Sequence, residues 1–111
     1  MTNFIEVWHF DARAESAAWL FMAKPEAVAA AWRDKLYTKV ADVATDDLEV
    51  AFRLTNNIDT SWSLEPDRRV ILAGPVRNFK GHRSSSMGDV FVQGGKAKYV
   101  AMFGFEDLDN E

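Results

Sequence analysis

The 111-residue chain contains no cysteine, which excludes a disulfide framework and any thiolate metal site and fits a reducing cytosol. It has only two histidines, His9 and His82, far apart and in different contexts, so no segment gathers the several ligands a metal ion needs. His9 reads as a strand residue with a satisfied hydrogen bond. No apolar run approaches the roughly 20 residues of a membrane helix. The opening MTNFIEVWHFDARAE lacks the basic and then apolar regions of a secretory signal. The phosphate-cradling glycine motifs are missing, as is a strand-to-helix nucleophile elbow. These absences point to a soluble cytoplasmic protein with no enzyme signature, no metal, no cofactor and no membrane partner.

What is present is a chain of one-domain size that is 48% apolar, with four Trp and eight Phe, enough aromatic area to build a core without staples. The net charge of −4 is unevenly spread. Residues 1–64 carry six bases against ten acids, residues 65–98 seven bases against three acids, and residues 99–111 four acids and no base. The middle segment suggests a basic patch of Arg68, Arg69, Arg77, Lys80, Arg83, Lys96 and Lys98, against the plainer reading of ordinary surface charge. Overall acidity argues against nucleic acid as the partner, since phosphate neutralisation goes with a strongly basic domain.

Phe4 to Phe10 is rich in aromatic and β-branched residues and predicts a central strand, with Phe4, Glu6, Trp8 and Phe10 on one face and Ile5, Val7 and His9 on the other. Ala12 to Met22 favours a helix, although Ala17 to Phe21 also fits a strand. Pro25 suits the first turn of a helix, on which Val28, Trp32 and Leu36 form an apolar stripe. Val40 to Val43 reads as a connector. Thr45 or Asp46 can cap a helix carrying Leu48, Ala51 and Phe52, stopped at Asn56-Asn57 by an asparagine in the left-handed conformation. A strand from Leu48 to Leu54 is the alternative. Ile58 to Gly81 is irregular apart from a short strand at Val70 to Ala73. Asp89 to Gln93 and Ala97 to Phe103 predict a hairpin around Gly94-Gly95, and the acidic end predicts a frayed tail. The expected fold is α+β: one domain over 1–111, with a small antiparallel sheet made of the N-terminal strand and the C-terminal hairpin, packed on one face by two or three helices.

Three clusters carry chemical potential. Ser84, Ser85 or Ser86 with His82 and Asp89 has the composition of a nucleophilic triad, but neighbours along one loop rarely hold its geometry. The same loop offers Arg83, Ser84, Ser85 and Ser86 to an anion such as a phosphate; the plainer reading is that serines pin the loop to backbone while Asp89 fixes the turn into the strand. Asp46, Asp47 and Glu49 suit a helix start better than an acid–base pair. Trp62, in a polar stretch, is either a lid on the core or an exposed anchor for a partner.

Taken in order, Arg83-Ser84-x-Ser86-x-Gly88-Asp89-Val90, the hairpin glycine, Tyr99-x-Ala101 and Phe103-Gly104-Phe105 resemble the YodL-like small domains scattered through phages, plasmids and conjugative elements. The helix ending in Asn56-Asn57 and followed by Trp62 resembles the region upstream in such proteins. The resemblance covers the last half of the chain and brings no catalytic residues. It implies an accessory protein of a mobile element, working in the host cytoplasm on a host machine such as restriction or CRISPR defence.

The leading expectation is therefore a non-enzymatic accessory protein that binds and inhibits or modulates a host protein complex. Its candidate contacts are Trp62, Arg77, Lys80, His82 and Arg83, with Asp46, Asp47 and Glu49 as mimics of nucleic-acid charge. The alternative is a small anionic-ligand or nucleotide-binding domain using the Arg83–Asp89 loop.

Overall fold

A computed structural model describes residues 4–10, 25–58, 60–74, 81–101 and 104–108. The expected helix over Ala12 to Met22 lies outside these, as do Arg77 and Lys80. The described elements run β1 (Ile5–Phe10), α1 (Pro25–Arg33), β2 (Tyr37–Val43), α2 (Leu48–Leu54), β3 (Val70–Leu72), β4 (Val90–Gln93), β5 (Lys96–Val100) and β6 (Phe105–Asp107). The strands form one sheet in the order β3-β2-β1-β4-β5-β6, with every neighbouring pair antiparallel.

This corrects the expected architecture. The N-terminal strand does lie beside the hairpin, since β1 pairs with β4, but they are only half of a six-stranded sheet, and the described residues contain just two short helices. The helices also take opposite faces. Ile5, Val7 and Phe91 pack with Ala51 of α2 and with Trp62, whereas Phe10, Val90 and Tyr99 pack with Val28 and Ala31 of α1. That division follows the alternation of side chains along β1 and β4.

β2, read from sequence as a connector, is a strand hidden by a bulge. Val7 pairs with Ala41 but Trp8 pairs with Lys39, so Val40 is an extra residue. Val40 and Ala41 consequently both enter the cluster beneath α2, and the period of two is broken where it would have been visible. β6 occupies the segment expected to fray. Lys98 Nζ donates to Asp107 at 2.6 Å, Tyr99 Oη to Glu106 at 3.0 Å, and Leu108 is buried beyond it.

Helix ends are set locally. α1 stops in a Schellman motif: Leu36 N–H donates to Ala31 C=O and Lys35 N–H to Trp32 C=O, with Lys35 at φ 61°. The apolar stripe thus ends at Trp32, and Leu36 lies outside the helix and exposed. At the start of α2 the N-cap is Asp47, whose carboxylate accepts from Glu49 N–H at 2.9 Å; Thr45 instead steadies the cap by accepting from Asp47 N–H. Asn56 closes the helix by donating its side-chain amide to Phe52 C=O, not by a left-handed backbone, which Lys35 alone adopts among the described non-glycine residues. The hairpin turn matches its sequence, with Gly94 at φ 59° and Gly95 at φ 80°. Among the described residues no helix is long and apolar enough to cross a membrane.

Candidate functional site

The loop from Gly81 to Asp89 crosses from the Trp62 turn to the start of β4, bonded at most of its residues. Gly81 sits at φ 81°, and a Cβ there would lie 2.6 Å from the Ser63 hydroxyl and 2.7 Å from that of Ser61. Only glycine lets the chain pass so close. His82 N–H then donates to Ser63 Oγ at 2.7 Å, and its ring stacks on Trp62 at a centroid distance of 5.6 Å. Trp62 Nε1 donates to Arg83 C=O at 2.8 Å. Ser84 Oγ accepts from Asn57 N–H at 2.7 Å, and Ser85 N–H donates to Thr55 C=O at 2.9 Å. Tyr37 Oη donates to Gly88 C=O at 2.6 Å. Two elements far apart in sequence, the end of α2 and the start of β4, are thereby locked together.

Asp89 is the centre of this assembly and is 1% exposed. Its Oδ1 accepts from Phe10 N–H at 2.9 Å and Arg83 Nη2 at 2.8 Å; its Oδ2 accepts from Arg83 Nη1 at 2.7 Å and Ser86 N–H at 2.8 Å. The same two terminal nitrogens of Arg83 also donate to Ser84 C=O, Ser86 Oγ and Phe10 C=O. Burial pulls the Arg83 guanidinium down, but the hydrogen bonds and charge of Asp89 outweigh it and its pKa is raised. Burial pushes the Tyr37 phenol up, and the Asp89 charge adds to that.

His9 completes the buried network. Its Nε2 lies 3.0 Å from Ser85 Oγ, which lies 2.7 Å from Thr55 Oγ1, which in turn donates to Ala51 C=O at 2.9 Å. A hydroxyl has one hydrogen. If Thr55 gives its own to a helix carbonyl, Ser85 must donate to Thr55 and accept from His9, so His9 carries its proton on Nε2. Burial lowers the His9 pKa to about 4, with Arg83 and His82 adding to the effect against the pull of Asp89, and the ring is neutral at pH 7. His82 is lowered as well, by burial and by Arg83.

Ser85, His9 and Asp89 have the composition of a catalytic triad but not its wiring. In a triad the carboxylate orients one ring nitrogen and the serine meets the other. Here Ser85 Oγ, at 3.0 Å, and Asp89 Oδ2, at 3.9 Å, approach the same Nε2. The serine is buried and its hydrogen is held by Thr55, so it has neither a base to activate it nor a path to substrate.

Of the residues singled out in the sequence, Trp62, His82, Arg83, Ser84, Ser85 and Ser86 are brought together at this loop. Trp62 is 3% exposed and supports the loop from beneath, which is the lid role and not that of a surface anchor. Arg83 is at the rim, with its fork taken by Asp89. Asp46, Asp47 and Glu49 stand elsewhere, at the far end of α2, about 10 Å along the helix from Thr55 at 1.5 Å per residue. Among the described residues, the basic side chains do not form one patch. Arg69 pairs with Asp67 at 2.9 Å beside β3, Lys98 with Asp107 on β5, and these strands are four positions apart in the sheet. Sequence reasoning gave His9 its hydrogen bond but not its partners, and it missed Thr55 and Asn57. Two aliphatic side chains escaped notice altogether: Ile58, 69% exposed, and Leu64, 48% exposed. Ile58 follows Asn57, whose amide donates to His82 C=O, and Leu64 abuts Gly81, so both border the loop.

Compared with known proteins, the chain matches no protein family, no curated protein and no solved structure. The YodL-like resemblance therefore stands on its motif order alone.

Proposed function

We propose that this chain is a non-enzymatic protein-binding module whose contact surface is formed by residues 57–58, 60–64 and 81–84. The observation that carries the reading is the exposure of Ile58 and Leu64 beside a loop whose Ser84 hydroxyl, His82 N–H and C=O and Arg83 C=O are already used internally. Exposed aliphatic side chains on a braced backbone, with the polar residues Asn57, Ser84 and Arg83 in the same paired segments, supply both the apolar and the polar groups that a protein interface uses. Covering each one gains about 1 kcal/mol or more, with little ordering cost because the backbone is fixed beforehand.

The motif order at the C-terminal half is the reason for choosing the partner: a host protein complex met by a phage- or plasmid-encoded accessory protein, in its most specific form a restriction or CRISPR nuclease. The chain is titrated into purified nucleases of both kinds and DNA cleavage is followed. Dose-dependent inhibition that saturates at a fixed stoichiometry supports the reading; unimpaired cleavage by every nuclease at micromolar chain overturns its inhibitor form. An anionic ligand at the Arg83–Ser86 loop, the competing reading, would have to displace Asp89 from the Arg83 fork.

A further inference from the structure

The opposite face of the sheet holds a second feature, independent of the partner surface. Trp8, Trp32, Tyr37 and Lys35 line a cleft of about 500 Å³, within the range of small-molecule sites. Its walls are aromatic rings set nearly at right angles: Trp8 and Trp32 at 5.3 Å and 88°, Trp32 and Tyr37 at 5.4 Å and 72°. Perpendicular rings make a corner in which a flat molecule can lie on one face and meet the edges of the others. Two polar handles of the walls are directed to the protein, Trp8 Nε1 to Glu6 and Tyr37 Oη to Gly88 C=O. The charge offered at the edge of the cleft is the Lys35 ammonium, and no carboxylate among the described residues forms an ion pair with it.

Lys35 is also at an unusual place. It fills the left-handed position of the Schellman motif that ends α1, at φ 61°, where glycine is the usual residue. A lysine there costs conformational energy that a glycine would not. We propose that this cleft binds a planar aromatic anion, stacked among Trp8, Trp32 and Tyr37 with its charged group on Lys35. A cationic ligand is disfavoured by Lys35 itself, and Glu6, beside Trp8, directs the negative end of the ligand toward the lysine. Two sources share this chemistry, an aromatic carboxylate and a nucleotide.

The test is an NMR titration of the whole chain, following the indole N–H signals of Trp8, Trp32 and Trp62, with indole-3-acetate and AMP as anions and indole and adenosine as their neutral parents. Saturable shifts at Trp8 and Trp32 but not Trp62, with one anion binding at least fivefold tighter than its neutral parent, support the site and identify the source. Lys35→Gln, a change at an exposed side chain, removes that fivefold preference and leaves binding of the neutral parent unchanged. Absence of saturable shifts with either anion, equal shifts at Trp62, or an unaltered preference in Lys35→Gln overturns it.

Discussion

Arg83 grips Asp89 with both terminal nitrogens, at 2.7 and 2.8 Å, although the arginine lies on the surface side of the loop and the aspartate is buried. The pair spans only six residues, yet its carboxylate also holds Phe10 N–H and thereby ties the loop to β1. Removing the acceptor strands four donors at once. Asp89→Ala should lower stability by about 3 kcal/mol, the scale of breaking a buried pair, measured by urea unfolding. Arg83→Lys should recover little of the loss caused by Arg83→Ala, because an ammonium cannot fork onto a carboxylate.

His9 makes the fold acid-sensitive in a definite window. Its pKa is about 4 in the folded chain against 6.5 when free. Between these values the unfolded chain binds a proton that the folded chain does not, so stability falls as pH drops from 6.5 toward 4 and this group adds nothing further below that. His82, also lowered by burial and by Arg83, acts in the same direction. Melting temperatures from pH 7 to 4.5 should fall less steeply in His9→Gln than in the parent, since the amide keeps a donor to Ser85 and does not titrate.

Lys35→Gly should raise stability by about 0.5 kcal/mol, the relief of a left-handed lysine less the greater chain entropy of glycine. A higher melting temperature together with loss of the anion preference at the aromatic cleft would show stability being given up for a side chain at that place.

Gly81→Ala and Gly94→Ala separate backbone strain from collision. Both positions have positive φ, but a Cβ at Gly94 meets nothing within 4 Å, whereas at Gly81 it strikes the Ser61 and Ser63 hydroxyls. Gly94→Ala should cost about 1 kcal/mol and Gly81→Ala more, as read from unfolding midpoints.

The acids at the start of α2 differ in what they do. Asp47 caps the helix, so neutralising it disturbs structure, while Asp42 stands apart on β2, paired with Lys39 at 2.9 Å. Asp46→Asn with Glu49→Gln is the cleaner test of charge mimicry. Loss of nuclease inhibition in that variant, at an unchanged melting temperature, would place these acids in the contact.

How much of this was legible depended on whether a rule of local geometry held. Pro25, Gly94-Gly95 and the alternation of Ile5 to Phe10 each obey such a rule, and α1, the hairpin turn and β1 follow them. β2 was lost because the extra residue Val40 puts two successive side chains on one face. β6 was lost because its pairing comes from Lys98 and Tyr99, which no local pattern in the acidic tail announces. At the site, the serine run and Asp89 stood out for their composition. Their partners His9, Thr55 and Asn57 lie 27 to 76 residues away along the chain and are brought in only by the sheet and the end of α2. Ile58 and Leu64 passed unseen because exposure is a property of the folded surface.

The measurement that bears most directly on the central claim compares two variants in the nuclease inhibition assay, with melting temperatures taken alongside. Ile58→Asp with Leu64→Asp should abolish inhibition and leave the melting temperature within a few degrees of the parent. Ser85→Ala should lower the melting temperature and preserve inhibition below it. Inhibition that survives the double change, or that disappears in a folded Ser85→Ala protein, would contradict the account.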